Sequence, residues 1–175
     1  MATTPINRAL YFVSFFVIIL LSVKAEAQKC NLEKNEIDAL TELVIKRTAP
    51  EMLMRVKGQP LYVKAQCIGT NKYLKIVFYK YNNFSFQEQR EVGFKLSNKE
   101  ELLLYPRQMS VDSTKMDDLA DVYSLLIYKL SDDQYKKLTQ YPAVKFKYYL
   151  ISGFVTEPIK DKNQGKIMGV LKCVE

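Results

Sequence analysis

Residues 61–78 read LYVKAQCIGTNKYLKIVF, and the period of that run sets the fold class. In its first half Leu61, Val63, Ala65 and Cys67 fall on one side and Tyr62, Lys64 and Gln66 on the other. Gly69-Thr70-Asn71 supplies turn residues. From Lys72 to Tyr81 the alternation resumes, with Leu74, Ile76 and Phe78 opposite Lys75, Val77 and Tyr79. A period of two on both sides of a short Gly-containing turn predicts a β-hairpin with one apolar face.

The same period continues downstream. Val92–Leu96 and Glu100–Tyr105 read as a second hairpin around Ser97-Asn98-Lys99, closed by Pro106. Residues 107–118 are polar and read as loop, and a further strand is expected from about Asp121 through Tyr128. Ser131 followed by Asp132-Asp133-Gln134 has the spacing of a capping box, in which the Ser and Gln side chains satisfy each other's backbone N–H groups. Leu130 and Tyr135 are spaced as its hydrophobic staple. Lys136 and Lys137 suit the negative end of the dipole, and Pro142 closes a helix of about three turns. In the following AVKFKYYLI (143–151), Val144, Phe146, Tyr148 and Leu150 share a face opposite Lys145 and Lys147, the pattern of an antiparallel sheet with one wet side. A short helix is expected near 162–172, weakened by Gly165 and Gly169.

Upstream, NLEKNEIDALTELVIKR (31–47) places Leu32, Ile37, Leu40, Leu43 and Val44 at spacings of three and four. Early acids and a late Lys46-Arg47 strengthen a helical reading. EMLMRV (51–56) fits helix or strand. The expectation is an α+β fold: an antiparallel meander of about six strands, with the N-terminal helix and the Ser131-capped helix packed on it. A small β-sandwich or open barrel is the alternative.

The N-terminus carries an address. Ala9–Val23 is fifteen residues without a charge, preceded by Arg8 and followed by Lys24-Ala25-Glu26-Ala27. Such a run falls short of the ~20 apolar residues a membrane-spanning helix needs, and it ends in the small residues a signal peptidase accepts. The reading is a signal peptide over 1–27, cleaved between Ala27 and Gln28, and a single domain over 28–175; an uncleaved signal anchor is the alternative. Lys29 before Cys30 does not suit a lipoprotein processing site. Export places Cys30, Cys67 and Cys173 where thiols pair. Cys67 lies on the apolar face of its strand and Cys173 among Val170, Leu171 and Val174, so Cys67–Cys173 is the first expectation, then Cys30–Cys173, then Cys30–Cys67.

The chain has 175 residues and a formal charge of +7; without residues 1–27 it keeps 24 basic against 18 acidic side chains, a charge of +6. The lysines are spread along the chain, as solvated faces are. There is no histidine. That removes Ser-His-Asp and Cys-His nucleophile arrangements and imidazole metal sites. No Gly-rich phosphate loop and no Cys-x-x-Cys occurs. Adjacent carboxylates (Glu100-Glu101, Asp117-Asp118, Asp132-Asp133) would have to converge at about 5–9 Å to hydrolyse glycosides, and neighbours on a strand point to opposite faces. Asp112, Asp117, Asp118 and Asp121 lack the ordering of a calcium loop. Tyr79, Tyr81, Phe84 and Phe86, interleaved with Lys80, Asn82 and Asn83, are the candidate ligand-facing aromatics, for a sugar or a nucleobase; the exported compartment argues against nucleic acid.

GFKLSN–KEELLLYP (93–106), YKLSDDQYKKL with YPAVKFKYYL (128–150) and VLKC (170–173) resemble a loose group of small exported proteins of unknown function, abundant in Bacteroidota-type bacteria. The likeness covers roughly residues 60–175. It implies export and a Cys173 paired with an earlier strand cysteine; it implies no activity. The functional expectation is therefore a non-catalytic binding or interaction module of the periplasm or outer surface, with envelope glycan or protein as its partner. No cofactor, metal or catalytic residue is expected, and no membrane span after cleavage. A structural accessory protein contacting acidic glycans is the second reading, and a carboxylate-based hydrolase a remote third.

Overall fold

The structure is a computed structural model, and it describes residues 30–79, 91–106, 123–150 and 153–175. Ten strands lie within these residues, in two antiparallel sheets. The first contains β1 (Leu32–Ile37), β2 (Val44–Thr48), β3 (Glu51–Val56), β4 (Gln59–Ile68), β5 (Asn71–Tyr79) and β8 (Tyr123–Leu130). The second has the order β10 (Gly153–Pro158), β9 (Ala143–Leu150), β6 (Val92–Leu96), β7 (Glu101–Leu104). Helix α1 (Asp132–Gln140) joins β8 to β9, and α2 (Lys166–Lys172) follows β10. The α+β class stands and the sheets are open. The strands are more numerous than the meander reading allowed, and they divide between two sheets.

The 61–78 hairpin is the spine of the first sheet. Leu61 through Ile68 pair with Phe78 through Asn71, and β5 pairs in turn with β8. Gly69 in the connecting turn has φ +57°, and a Cβ there would meet Leu43 Cδ2 at 3.2 Å, so both the conformation and the space call for glycine. Strand β4 is long enough to take two partners along its other edge. Ile68, Cys67 and Gln66 pair with β2, and Val63 through Gln59 with β3. Pro50 lies between β2 and β3, where its missing N–H and fixed φ interrupt the ladder.

The largest departure from the sequence reading is at 31–48, where a hairpin replaces the expected helix. Asp38 is the physical reason. Its Oδ1 accepts hydrogen bonds from the backbone N–H of Leu40 (3.2 Å) and Thr41 (2.8 Å) and from the Thr41 hydroxyl (2.8 Å). An Asp that satisfies the following N–H groups offers the backbone a turn in place of a helix. These bonds to the ionised form hold the Asp38 carboxyl below its ordinary range. Glu42 then takes φ +57°, and β1 folds back on β2. Of the stripe that would have faced a core, Ile37, Leu40, Leu43 and Val44 are exposed instead, with Leu40 at the hairpin tip. EMLMRV, ambiguous in sequence, is β3.

That hairpin also redirects the disulfide. The bridge joins Cys30 to Cys173, with a Cα separation of 5.4 Å, and Cys67 is a free, buried thiol. The first-ranked pairing, Cys67–Cys173, is therefore corrected. As a strand, β1 carries residue 30 to the end of β2, where Ala49 N donates to Asn31 O at 2.8 Å. Asn31, Thr48, Ala49 and Cys173 line one small recess there.

One core cluster draws on both sheets and both helices: Leu61, Val63, Ala65, Leu74 and Ile76 from the first hairpin, Phe94, Phe146 and Tyr148 from the second sheet, Leu138 from α1, and Ile167, Val170 and Leu171 from α2. Phe146 lies between Phe94 (ring centroids 5.1 Å apart) and Tyr148 (5.4 Å). Tyr148 donates its hydroxyl to Glu157 Oε1 at 2.8 Å. Two buried polar groups are satisfied across elements: Asn163 Nδ2 donates to Leu53 O at 2.8 Å, and Ala65 N donates to Thr48 Oγ1 at 2.9 Å.

The capping box forms as read. Gln134 N donates to Ser131 Oγ (3.2 Å) and Ser131 N to Gln134 Oε1 (3.0 Å), while Gln134 Nε2 also reaches Leu103 O at 3.1 Å in the second sheet. Ser131→Ala is expected to destabilise the protein by about 1 kcal/mol, with Ser131→Thr close to native. Denaturant midpoints check this, and equal midpoints for Ala and Ser would deny the cap its role.

Candidate functional site

The outward face of the second sheet is built from residues that alternate away from the core. Strand β6 contributes Gly93 and Lys95, β7 contributes Glu101 and Leu103, β9 contributes Lys145 and Lys147, and β10 contributes Thr156. Register sets them side by side. Gly93 faces Lys147 on one flank and Leu103 on the other, Lys95 faces Lys145 and Glu101, and Lys147 faces Thr156.

Gly93 makes this face concave. A Cβ there would come within 3.2 Å of both Leu103 Cδ2 and Lys147 Cβ, so the missing side chain leaves a floor between two walls. The trough holds about 130 Å³, room for a single ring-sized group when one water occupies roughly 30 Å³. Its rim is cationic, with Lys95, Lys145 and Lys147 against one acid, Glu101. Beside Lys147 stand two aromatic rings. The ammonium lies 4.5 Å from the Phe154 centroid and 5.7 Å from that of Tyr149, and the rings are 6.2 Å apart. Phe154 is 63% exposed, a large apolar surface left in water on a strand otherwise able to carry polar residues. Both rings are within cation–π reach of the ammonium.

The sequence reading pointed elsewhere for aromatics. Tyr79 is the last residue of β5, paired with Tyr123 in the first sheet. Tyr81, Phe84 and Phe86 lie outside the described residues, as do Ala27, Gln28 and the acids Asp112, Asp117, Asp118 and Asp121. Of the described carboxylates, Glu100 is held by Asn98 Nδ2 at 3.1 Å and lies 3.8 Å from Lys137 Nζ, and Asp133 lies 3.2 Å from the same ammonium. Glu101 stands at the trough with cations for neighbours. Among the described residues no three His, Cys, Asp or Glu side chains come together as metal ligands, and no helix is long and apolar enough to cross a membrane. The chain matches no protein-family model, no curated protein and no solved structure.

A second cationic group occupies the outward face of the first sheet. Lys64 and Lys75 are direct cross-strand partners, and Arg47 pairs with Gln66 one step along β4. Burial, then the charges of Arg47 and Lys64, lowers the Lys75 ammonium to about 8, with Glu33 opposing. From β8 the facing partner is Ile127, which carries no charge. Unfolded, the group titrates near 10.5. Between the two values the unfolded chain binds more protons, so stability rises with pH across that window. Burial raises the phenols of Tyr128 and Tyr148 above their ordinary 10.0, which makes stability fall once pH exceeds about 10. A rise in urea midpoint from about pH 8 and a maximum near pH 10 are therefore expected at low salt. Lys75→Met should flatten its rising limb; a rising limb that survives this substitution would refute the assignment.

Proposed function

We propose that this chain works outside the cytoplasm as a non-catalytic binding module of the cell envelope, and that the trough of the second sheet takes up an acidic glycan. The observation that carries this reading is the combination at one place of a glycine floor, three lysines and an aromatic pair, exposed Phe154 beside half-buried Tyr149. A sugar ring presents an apolar C–H face and a polar rim. Phe154 and Tyr149 offer a surface for the first, and Lys95, Lys145 and Lys147 offer point charges for a carboxylate on the second. The trough is shallow and open, which suits one unit of a polymer whose neighbours continue along the sheet. The apolar h-region of residues 9–23 and the Cys30–Cys173 bridge support the exported setting.

The test is titration with a polyuronate and with a neutral glucan at matched ionic strength. Binding to the polyuronate alone is expected, with an affinity that falls as salt rises. Lys95→Gln/Lys145→Gln/Lys147→Gln should weaken it about tenfold or more, since each exposed ion pair contributes modestly and the three sum. Phe154→Ala should weaken it without changing the salt dependence. If the triple variant binds like the wild type, the trough is not the site. Intact mass of the secreted protein, reduced and non-reduced, tests cleavage after Ala27 and the single bridge together.

A further inference from the structure

Arg47, Lys64 and Lys75 come from β2, β4 and β5, which lie side by side in the first sheet. Nothing in folding alone favours their meeting. Like charges directly opposite on paired strands repel, and Lys64 faces Lys75 in the register. The Lys64 side chain is only 16% exposed and Lys75 is partly buried, so water does little to screen them. One acid serves the group: Glu33 Oε2 accepts from Lys64 Nζ at 2.5 Å. That leaves two positive charges without a counter-charge among the described residues. The Nε of Arg47 is buried and donates to nothing, and a buried donor without an acceptor is the exception that calls for an explanation. Gln66 brings an amide to the same face, beside Arg47.

We propose that Arg47, Lys64 and Lys75 form a binding site for a phosphate-type oxyanion, distinct from the trough of the second sheet. A phosphomonoester dianion matches the two uncompensated charges, where a carboxylate would leave one. Its oxygens would accept from Arg47 Nε–H and from the Lys75 ammonium, the forked and point-charge donors that phosphate recognition uses. Bound there, the anion turns a repulsive arrangement into a bridged one, so ligand binding and fold stability rise together.

The experiment is thermal unfolding and calorimetric titration of the full chain with inorganic phosphate against chloride at matched ionic strength and pH 7. Phosphate should raise the wild-type melting temperature. Lys75→Met should raise it in phosphate-free buffer and lose the phosphate response. Arg47→Lys, which keeps the charge but removes Nε–H, should weaken phosphate binding roughly tenfold. The triple lysine variant of the second sheet should respond as the wild type does, which separates this site from the glycan reading. Glycerol 3-phosphate and phosphatidic acid vesicles (with phosphatidylcholine vesicles as control) distinguish a soluble phosphomonoester from a lipid headgroup. Binding in either arm that Lys75→Met abolishes supports the site and names its source. Absence of binding in every arm, or binding that Lys75→Met leaves unchanged, overturns it.

Discussion

Replacing Cys30 and Cys173 together by serine is expected to lower stability by about 5 kcal/mol. The bridge spans 143 residues, and closing a loop of that length removes about that much chain entropy from the unfolded state. Whole-protein stabilities run at roughly 5–15 kcal/mol, so the double variant should lose between a third and all of its margin. The wild type in reductant should behave like the double variant in oxidising buffer. Cys67→Ala, which leaves the bridge in place, should retain most of the stability. Guanidinium midpoints with and without reductant decide the matter: a reductant-insensitive midpoint means that the bridge contributes nothing.

Phe146→Ala should produce a loss of comparable size, about 3–5 kcal/mol, by a different route. Phe146 is fully buried on β9, the strand that pairs with both β6 and β10, and its ring touches those of Phe94 and Tyr148. Truncation removes the transfer energy of the ring and leaves a void that flanking aromatics on rigid strands cannot fill. Phe146→Leu should recover a large part of the loss. The two effects are separable, since the disulfide acts on the unfolded chain and the ring on the folded one. A Phe146→Ala variant with a near-native midpoint would mean that the second sheet is not packed on the core.

What was legible in the sequence was whatever followed from strict period or strict spacing. The 61–78 hairpin, the 92–105 hairpin, the wet and dry faces of β9 and the Ser131 box are all local signals, and each has one dominant reading. The failure at 31–47 has a local cause as well. Leu32, Ile37, Leu40, Leu43 and Val44 fit a helical stripe, but Asp38 closes a turn through its own side chain and β4 supplies a paired edge for β2. Tertiary pairing outweighs a weak propensity. The division into two sheets was not legible, because strand order depends on which edges meet and not on any one segment. The Cys67–Cys173 expectation rested on two apolar settings, and an apolar face is as well filled by a free buried thiol, which Cys67 is.

The candidate site shows the same limit. Lys145 and Lys147 read correctly as an outward face, yet nothing in AVKFKYYLI says that Gly93 lies beside Lys147 or that the Phe154 ring lies near that of Tyr149. Those adjacencies come from the register of β9 with β6 and β10. An exposed Phe one residue past Gly153 was the available signal, and in sequence it looks like any strand aromatic.

The Cys30–Cys173 bond has a mechanical consequence. It staples the first described strand to the end of the last helix, so everything between residues 30 and 173 forms a covalent ring. A pull applied through the segment before residue 30 and resisted at Glu175 would travel across the sulfur atoms and bypass the hydrogen-bonded ladders. Under tension the ring should hold until a reductant cuts the link and lets the load reach the sheets.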